Sequence, residues 1–172
     1  MPDTFTDDRP VRERDAARVI VVADREVLLQ GDTDPGVPGS RFWQTPGGGV
    51  DPDELNRAAA VRELEEETGL IVDQDDLEGP VAIRRLIRGY SDRILVQDET
   101  FYLLRTARFD AVPAGLSARE EERHVDTDWH RLDALPENTW PAELPRLALW
   151  RGEEMVDLGV VEESTVPVNR PL

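Results

Sequence analysis

The chain has 172 residues, 39% of them apolar, and 37 acidic against 20 basic side chains give a formal net charge of −17. That size fits one compact domain, the charge opposes binding to duplex nucleic acid, and no apolar run suffices for a membrane span or a secretory signal, so a cytoplasmic protein is expected. Cysteine and lysine are both absent, which removes disulfides, thiolate nucleophiles, Cys-ligated metals, Schiff bases and P-loop lysines and leaves an all-arginine cation set suited to bidentate phosphate contacts.

Residues 1–15 read as a mobile polar arm. "ARVIVVADREVLLQG" then supplies two β-rich runs, Val19 to Ala23 and Val27 to Gln30, joined through "DRE" as a hairpin. The Gly/Pro/Asp segment "DTDPGVPGS" is a loop, and "RFWQT" is a short strand that ends where Gly47, Gly48 and Gly49 begin. From Leu55 to Thr68 the composition is helical, and Gly69 stands where a C-cap glycine belongs. "VAIRRLIRGY", "ETFYLLRTARF" and the shorter "TDWHRLDAL" follow as strands, "PAELPRLALWRG" as a second helix, and the acidic end as partly tail. Many strands with two scattered helices predict an α/β/α sandwich around a mixed sheet, an α+β fold.

The stretch "TPGGGVDPDELNRAAAVRELEEETGL" concentrates like charge on a helix in a chain that is already acidic. Like charges at helical neighbour spacing repel by a few tenths of a kcal/mol per pair, so something cationic is expected among them. At 100° per residue Glu63, Glu66 and Glu67 share an arc of roughly 100°, while Val61 and Leu64 turn toward a core. Three carboxylates on one face suit a hard divalent cation, which also takes waters and phosphate oxygens. The glycines let the loop approach closely, so that a carbonyl near Gly48 adds a ligand, and Arg62 can orient one carboxylate by a bidentate pair.

Gly48, Glu54, Arg62, Glu63, Leu64, Glu66, Glu67, Gly69 and Leu70 fall in the spacing G-x5-E-x7-R-E-U-x-E-E-x-G-U, where U is aliphatic. Chance agreement at nine such positions is on the order of 10⁻⁶. The stretch resembles the Nudix box at every fixed position, and the strand order and the late Trp129 are similar to a Nudix domain as well. The resemblance implies a Nudix hydrolase fold over 16–152, followed by an acidic C-terminal segment, 153–172. It implies hydrolysis of a phosphoric anhydride, a diphosphate bond in a nucleotide or nucleoside-diphosphate derivative, with Mg2+, or Mn2+ in its place, as cofactor. Carried over residue by residue, Glu63, Glu66 and Glu67 are ligands, one of them open as the base, Gly48 adds its carbonyl, and Arg62 orients with Glu54 in support. Asp53 departs from the family, many of whose members have Gly just before the first box Glu.

Outside the box the residues say less. Arg84, Arg85, Arg88 and Arg93 are candidates for substrate phosphates, Arg88 first among them. Trp43 and Phe42 can stack on a base or belong to the core. Glu120, Glu121 and Glu122 fall in an expected loop, where Nudix enzymes often supply a further carboxylate; Glu120, nine residues before Trp129, is favoured as base or extra ligand. Pro80 comes too early and Tyr90 too late for the substrate markers of known subfamilies, and the missing Cys argues against a Nudix-fold isomerase. The expected partner is a small nucleotide-type molecule, with neither duplex nucleic acid nor membrane, and a homodimer stays open. Two other readings compete: a catalytically silent Nudix module that binds a nucleotide and regulates a partner, and plain acid-rich metal binding.

Overall fold

A computed structural model describes residues 7–172. The strands are β1 (Val11–Ala23), β2 (Glu26–Asp32), β3 (Phe42–Gln44), β4 (Gly47–Gly49), β5 (Glu78–Gly89), β6 (Ile94–Arg105), β7 (His124–Arg131), β8 (Thr139–Trp140) and β9 (Val156–Glu162). Between them lie α1 (Asn56–Thr68), α2 (Ala118–Arg123) and the single turn α3 (Leu144–Leu147). The sheet runs β8-β3-β2-β1-β6-β5-β9, with β4 added to β1 and β7 to β2. It is mixed: β1 pairs β6 in parallel along twelve positions, from Val11↔Ile94 to Val22↔Arg105, whereas β5 pairs β6 antiparallel and β9 in parallel.

From Ala16 onward β1 is buried on both faces, which is why it reads as a continuous apolar run rather than an alternation. Ala17, Val19 and Val21 face a core closed by Ala59, Ala60 and Leu64 of α1, while Ile20 and Val22 face a second core closed by Leu144 and Leu147 of α3. Helices thus cover both faces of the mixed sheet, as the strand pattern predicts. The hairpin turn is Asp24–Arg25, with Asp24 at φ 53°, and α1 ends at Gly69, whose φ of 77° lets its N–H reach the Glu65 carbonyl.

Several expectations are corrected. The arm 1–15 falls outside the described residues at 1–6, but Val11 to Asp15 are the start of β1, held by their ladder to β6. The three glycines do not bend as a loop; they form β4, with Ala17 opposite Gly48 and Arg18 opposite Gly47. A Cβ at Gly47 would lie 2.4 Å from the Ala17 carbonyl oxygen, so glycine serves close approach here. The acidic triplet lies on α2, capped by Ser117, rather than in a loop. Within 153–172, β9 adds an edge strand to β5.

Candidate active site

α1 and β4 meet at the glycines. A side chain at Gly48 would stand 2.6 Å from the Glu63 carboxyl carbon, and the Gly47 N–H donates to Glu67 Oε2 at 2.7 Å. Glycine at both positions lets the sheet edge press against two carboxylates of the helix. Across the gap α2 presents Glu120, whose carboxylate also accepts from the Ser117 N–H at 3.1 Å. Oxygens of Glu63, Glu67 and Glu120 all lie within 4.8 Å of one another. Glu66 is outside this trio; it is half-buried and faces Arg62 at 3.4 Å, and its backbone carbonyl accepts from Ala114 and Gly115.

Arg62 organises the helix side. Its guanidinium donates to both oxygens of Glu54, at 2.8 and 3.0 Å, to the Gly49 carbonyl at 2.9 Å and to Glu63 Oε1 at 2.9 Å. Its hydrogen bonds to the Glu54 carboxylate chiefly hold Arg62 charged, and Arg62 in turn depresses the Glu54 carboxyl. Burial pushes the Glu67 carboxyl well above its ordinary value and Glu63 adds in the same direction, against Arg18 and the Gly47 N–H. Burial likewise raises Glu63 against Arg62, with Glu66 and Glu120 adding to the rise. Such a cluster of crowded, desolvated oxygens is short of positive charge at its centre.

These carboxylates form one wall of a cavity of about 250 Å³. The other walls are cationic: Arg12, Arg14 and Arg18 from β1, Arg88 and Arg93 on either side of the β5–β6 turn, and Arg119 and Arg123 from α2. Arg18 donates to Glu99 at 2.5 Å and to the Thr45 carbonyl at 2.8 Å. Arg88 is almost fully buried, donates to Gln44 Oε1 and to the carbonyl and carboxylate of Glu163, and lies over the rings of Phe42 and Trp140. Three of its five N–H groups are held by these partners while it lines the cavity. Trp43 is corrected: it packs into the second core with its ring edge-on to His130, and its neighbour Phe42 lies on the cavity, as does Tyr90.

The sequence does not single out Arg12, Arg14, Arg119 and Arg123, nor Asp32, which also lines the cavity. For Arg119 and Arg123 a signal exists, since they stand on either side of Glu120 one helical turn apart, and "SARE" is the S-x-x-E pattern of a helix start.

The NUDIX domain profile matches residues 12–150. The chain belongs to the Nudix family. It is 31% identical over 155 residues to an RNA pyrophosphohydrolase of Erythrobacter litoralis, a match covering 86% of this chain and 88% of that protein. Among solved structures, a MutT Nudix hydrolase from Burkholderia pseudomallei is similar at 26% identity and a TM-score of 0.56, over 80% of this chain and 96% of that one. The E. coli ORF135 protein is similar at 26% identity and a TM-score of 0.52, over 81% and 87%. As a Nudix hydrolase the protein acts on phosphoric anhydrides, and no helix among the described residues is long and apolar enough to cross a membrane.

Proposed function

We propose that this Nudix protein is a divalent-metal-dependent pyrophosphohydrolase that cleaves a diphosphate bond in a nucleotide or nucleoside-diphosphate derivative. The observation that carries the reading is the convergence of Glu63, Glu67 and Glu120, from two separate helices, on the wall of an arginine-lined cavity. The donor set is all oxygen, crowded and partly desolvated, which suits Mg2+ or Mn2+. Glu63, Glu67 and Glu120 would hold the ion, with Glu66 and the Gly48 carbonyl as the further donors the box provides. Bound there, such an ion supplies charge neutralisation at the bridge and a lowered pKa for water.

The chain's own residues then do the positioning. Arg62 fixes Glu63, the Gly47 N–H fixes Glu67, and the arginines of the cavity hold phosphate oxygens in reach of the carboxylates. Glu120, on the exposed helix α2, is the proposed acceptor of the proton from the attacking water, or an additional ligand. Phosphate release is measured over nucleoside triphosphates, ADP-ribose, nucleotide sugars, dinucleoside polyphosphates and, given the Erythrobacter relative, an RNA oligonucleotide with a terminal phosphoric anhydride. Turnover is expected with Mg2+ or Mn2+ and none in excess chelator. Nucleotide binding without turnover of any of these would replace this reading with that of a silent module.

A further inference from the structure

The carboxylate trio accounts for one wall of the cavity, and the cationic walls carry more guanidiniums than one diphosphate bridge beside it needs. Arg12, Arg14, Arg119 and Arg123 pair with no carboxylate among the described residues, although the chain carries 37 acidic groups. Arg18 and Arg88, on the same walls, are by contrast neutralised by Glu99 and Glu163. Two guanidiniums share one ring: Arg93 and Arg123 lie 4.2 and 4.8 Å from the centroid of buried Tyr90. An aromatic face attracts each of them modestly, while the pair repel one another in a half-desolvated place. Burial and the charge of Arg123 both disfavour the charged form of Arg93. Arg93 has one carboxylate partner, the exposed Asp92 at 3.1 Å, and Arg12, Arg119 and Arg123 have none among the described residues, so that as the carboxylates call for a cation, this group calls for an anion.

Resting on the hydrolase reading, we infer that Arg93 and Arg123 at Tyr90, with Arg12 and Arg119 of the same cavity, form an oligophosphate subsite that selects substrates with three or more consecutive phosphates over those with an isolated diphosphate bridge. The arrangement of α2 gives the direction. Glu120 stands beside Glu63 and Glu67, and Arg119 and Arg123 flank it on the same short helix, so a chain cleaved near Glu120 continues past α2 toward Tyr90. Guanidiniums meet phosphate oxygens bidentately, and charges on adjacent phosphorus atoms match two guanidiniums on one ring. A nucleic-acid strand fits less well, because a sugar separates its successive charges and a protein of net charge −17 repels a long polyanion.

The test is calorimetric titration of the full chain with inorganic tripolyphosphate and with pyrophosphate, in chelator. Tripolyphosphate is expected to bind at least ~10-fold tighter, and Arg119→Gln/Arg123→Gln to cost it at least ~10-fold while costing pyrophosphate less. Arg12→Gln, a surface change with no described pairing to break, is expected to weaken tripolyphosphate about threefold, which keeps the test open if the double variant folds poorly. Binding of the two anions within about twofold of one another overturns the subsite, and so does competition by a 5′-monophosphorylated RNA as strong as that by tripolyphosphate. Because the titration needs neither metal nor turnover, its failure is distinct from that of the hydrolase reading. That reading fails only if no substrate is turned over with Mg2+ or Mn2+.

Discussion

Glu67 shows why a helix in an acidic chain gathers more acid. Its side chain is buried, its one hydrogen bond among the described residues comes from the Gly47 N–H, and the Glu63 carboxylate repels it. Glu67→Gln removes that repulsion together with an anionic ligand. The variant is expected to lose at least ~10²-fold in kcat, to melt no lower than the wild type in chelator, and to lose the rise in Tm that Mg2+ gives the wild type. Melting well below the wild type in chelator would make Glu67 a structural residue. Asp53 carries a second residue-scale prediction. It is exposed and held at φ 65°, a left-handed conformation that an L residue adopts at some energetic expense and glycine adopts freely. The departure from the family's glycine is thus a backbone matter. Asp53→Gly is expected to raise stability by about 0.5–1 kcal/mol in urea melts, with kcat unchanged, the gain held down by glycine's extra freedom in the unfolded chain.

At the scale of elements, the strands β1, β6 and β5 and the segment after β9 are tied by buried charge. Arg18 pairs with Glu99 at 2.5 Å, Glu99 with Arg84 at 2.7 Å, and Arg84 with Glu163 at 2.8 Å. Burial alone would raise the Glu99 carboxyl, but Arg18, Arg84 and Arg88 together bring it down to about 2. A carboxyl depressed in the folded state contributes stability that is complete above its unfolded value, near 4.5, and is lost as pH falls from there toward about 2. Glu99→Gln leaves two guanidiniums buried with less compensation and is expected to cost about 3–5 kcal/mol at pH 7, a deficit that narrows below pH 4. A deficit that does not change with pH would separate the loss from ionisation. The same elements show what the sequence makes readable. α1 and the β1–β2 hairpin are written locally, in an apolar run, a turn and a C-cap glycine. β4 and β9 are not: three glycines hold no strand propensity and pair only because β1 lies beside them, and β9, whose side chains are half-buried or exposed, is defined by the open edge of β5. The box resemblance likewise points to Glu63, Glu66 and Glu67, of which the fold brings two to the trio, and resemblance to Nudix chains around Trp129 points to Glu120, whereas the cationic walls draw on β1, the β5–β6 turn and α2, three separated segments that the fold assembles.

For the whole molecule two electrostatic effects oppose each other. The net charge of −17 repels an anionic substrate at long range, while the arginines of the cavity attract it at contact. A chain of this length has a radius of gyration of roughly 16 Å. The screening length is about 30 Å at 0.01 M salt, longer than that radius, and about 10 Å at 0.1 M, shorter than it. At the lower ionic strength the whole negative surface therefore acts on the approaching substrate; at the higher one the nearby guanidiniums dominate. Further salt then competes for the guanidiniums themselves. At fixed free Mg2+, kcat/KM is expected to rise from 0.01 M toward about 0.1 M salt and to fall above it, by several-fold on each side. Arg119→Gln/Arg123→Gln should flatten the high-salt fall and leave the low-salt rise, since it removes contact charges and makes the distant field only slightly more negative. A kcat/KM that declines monotonically from 0.01 M would mean that the cavity's cations outweigh the surface at every range. A monotonic rise would mean that they do not meet the substrate at all.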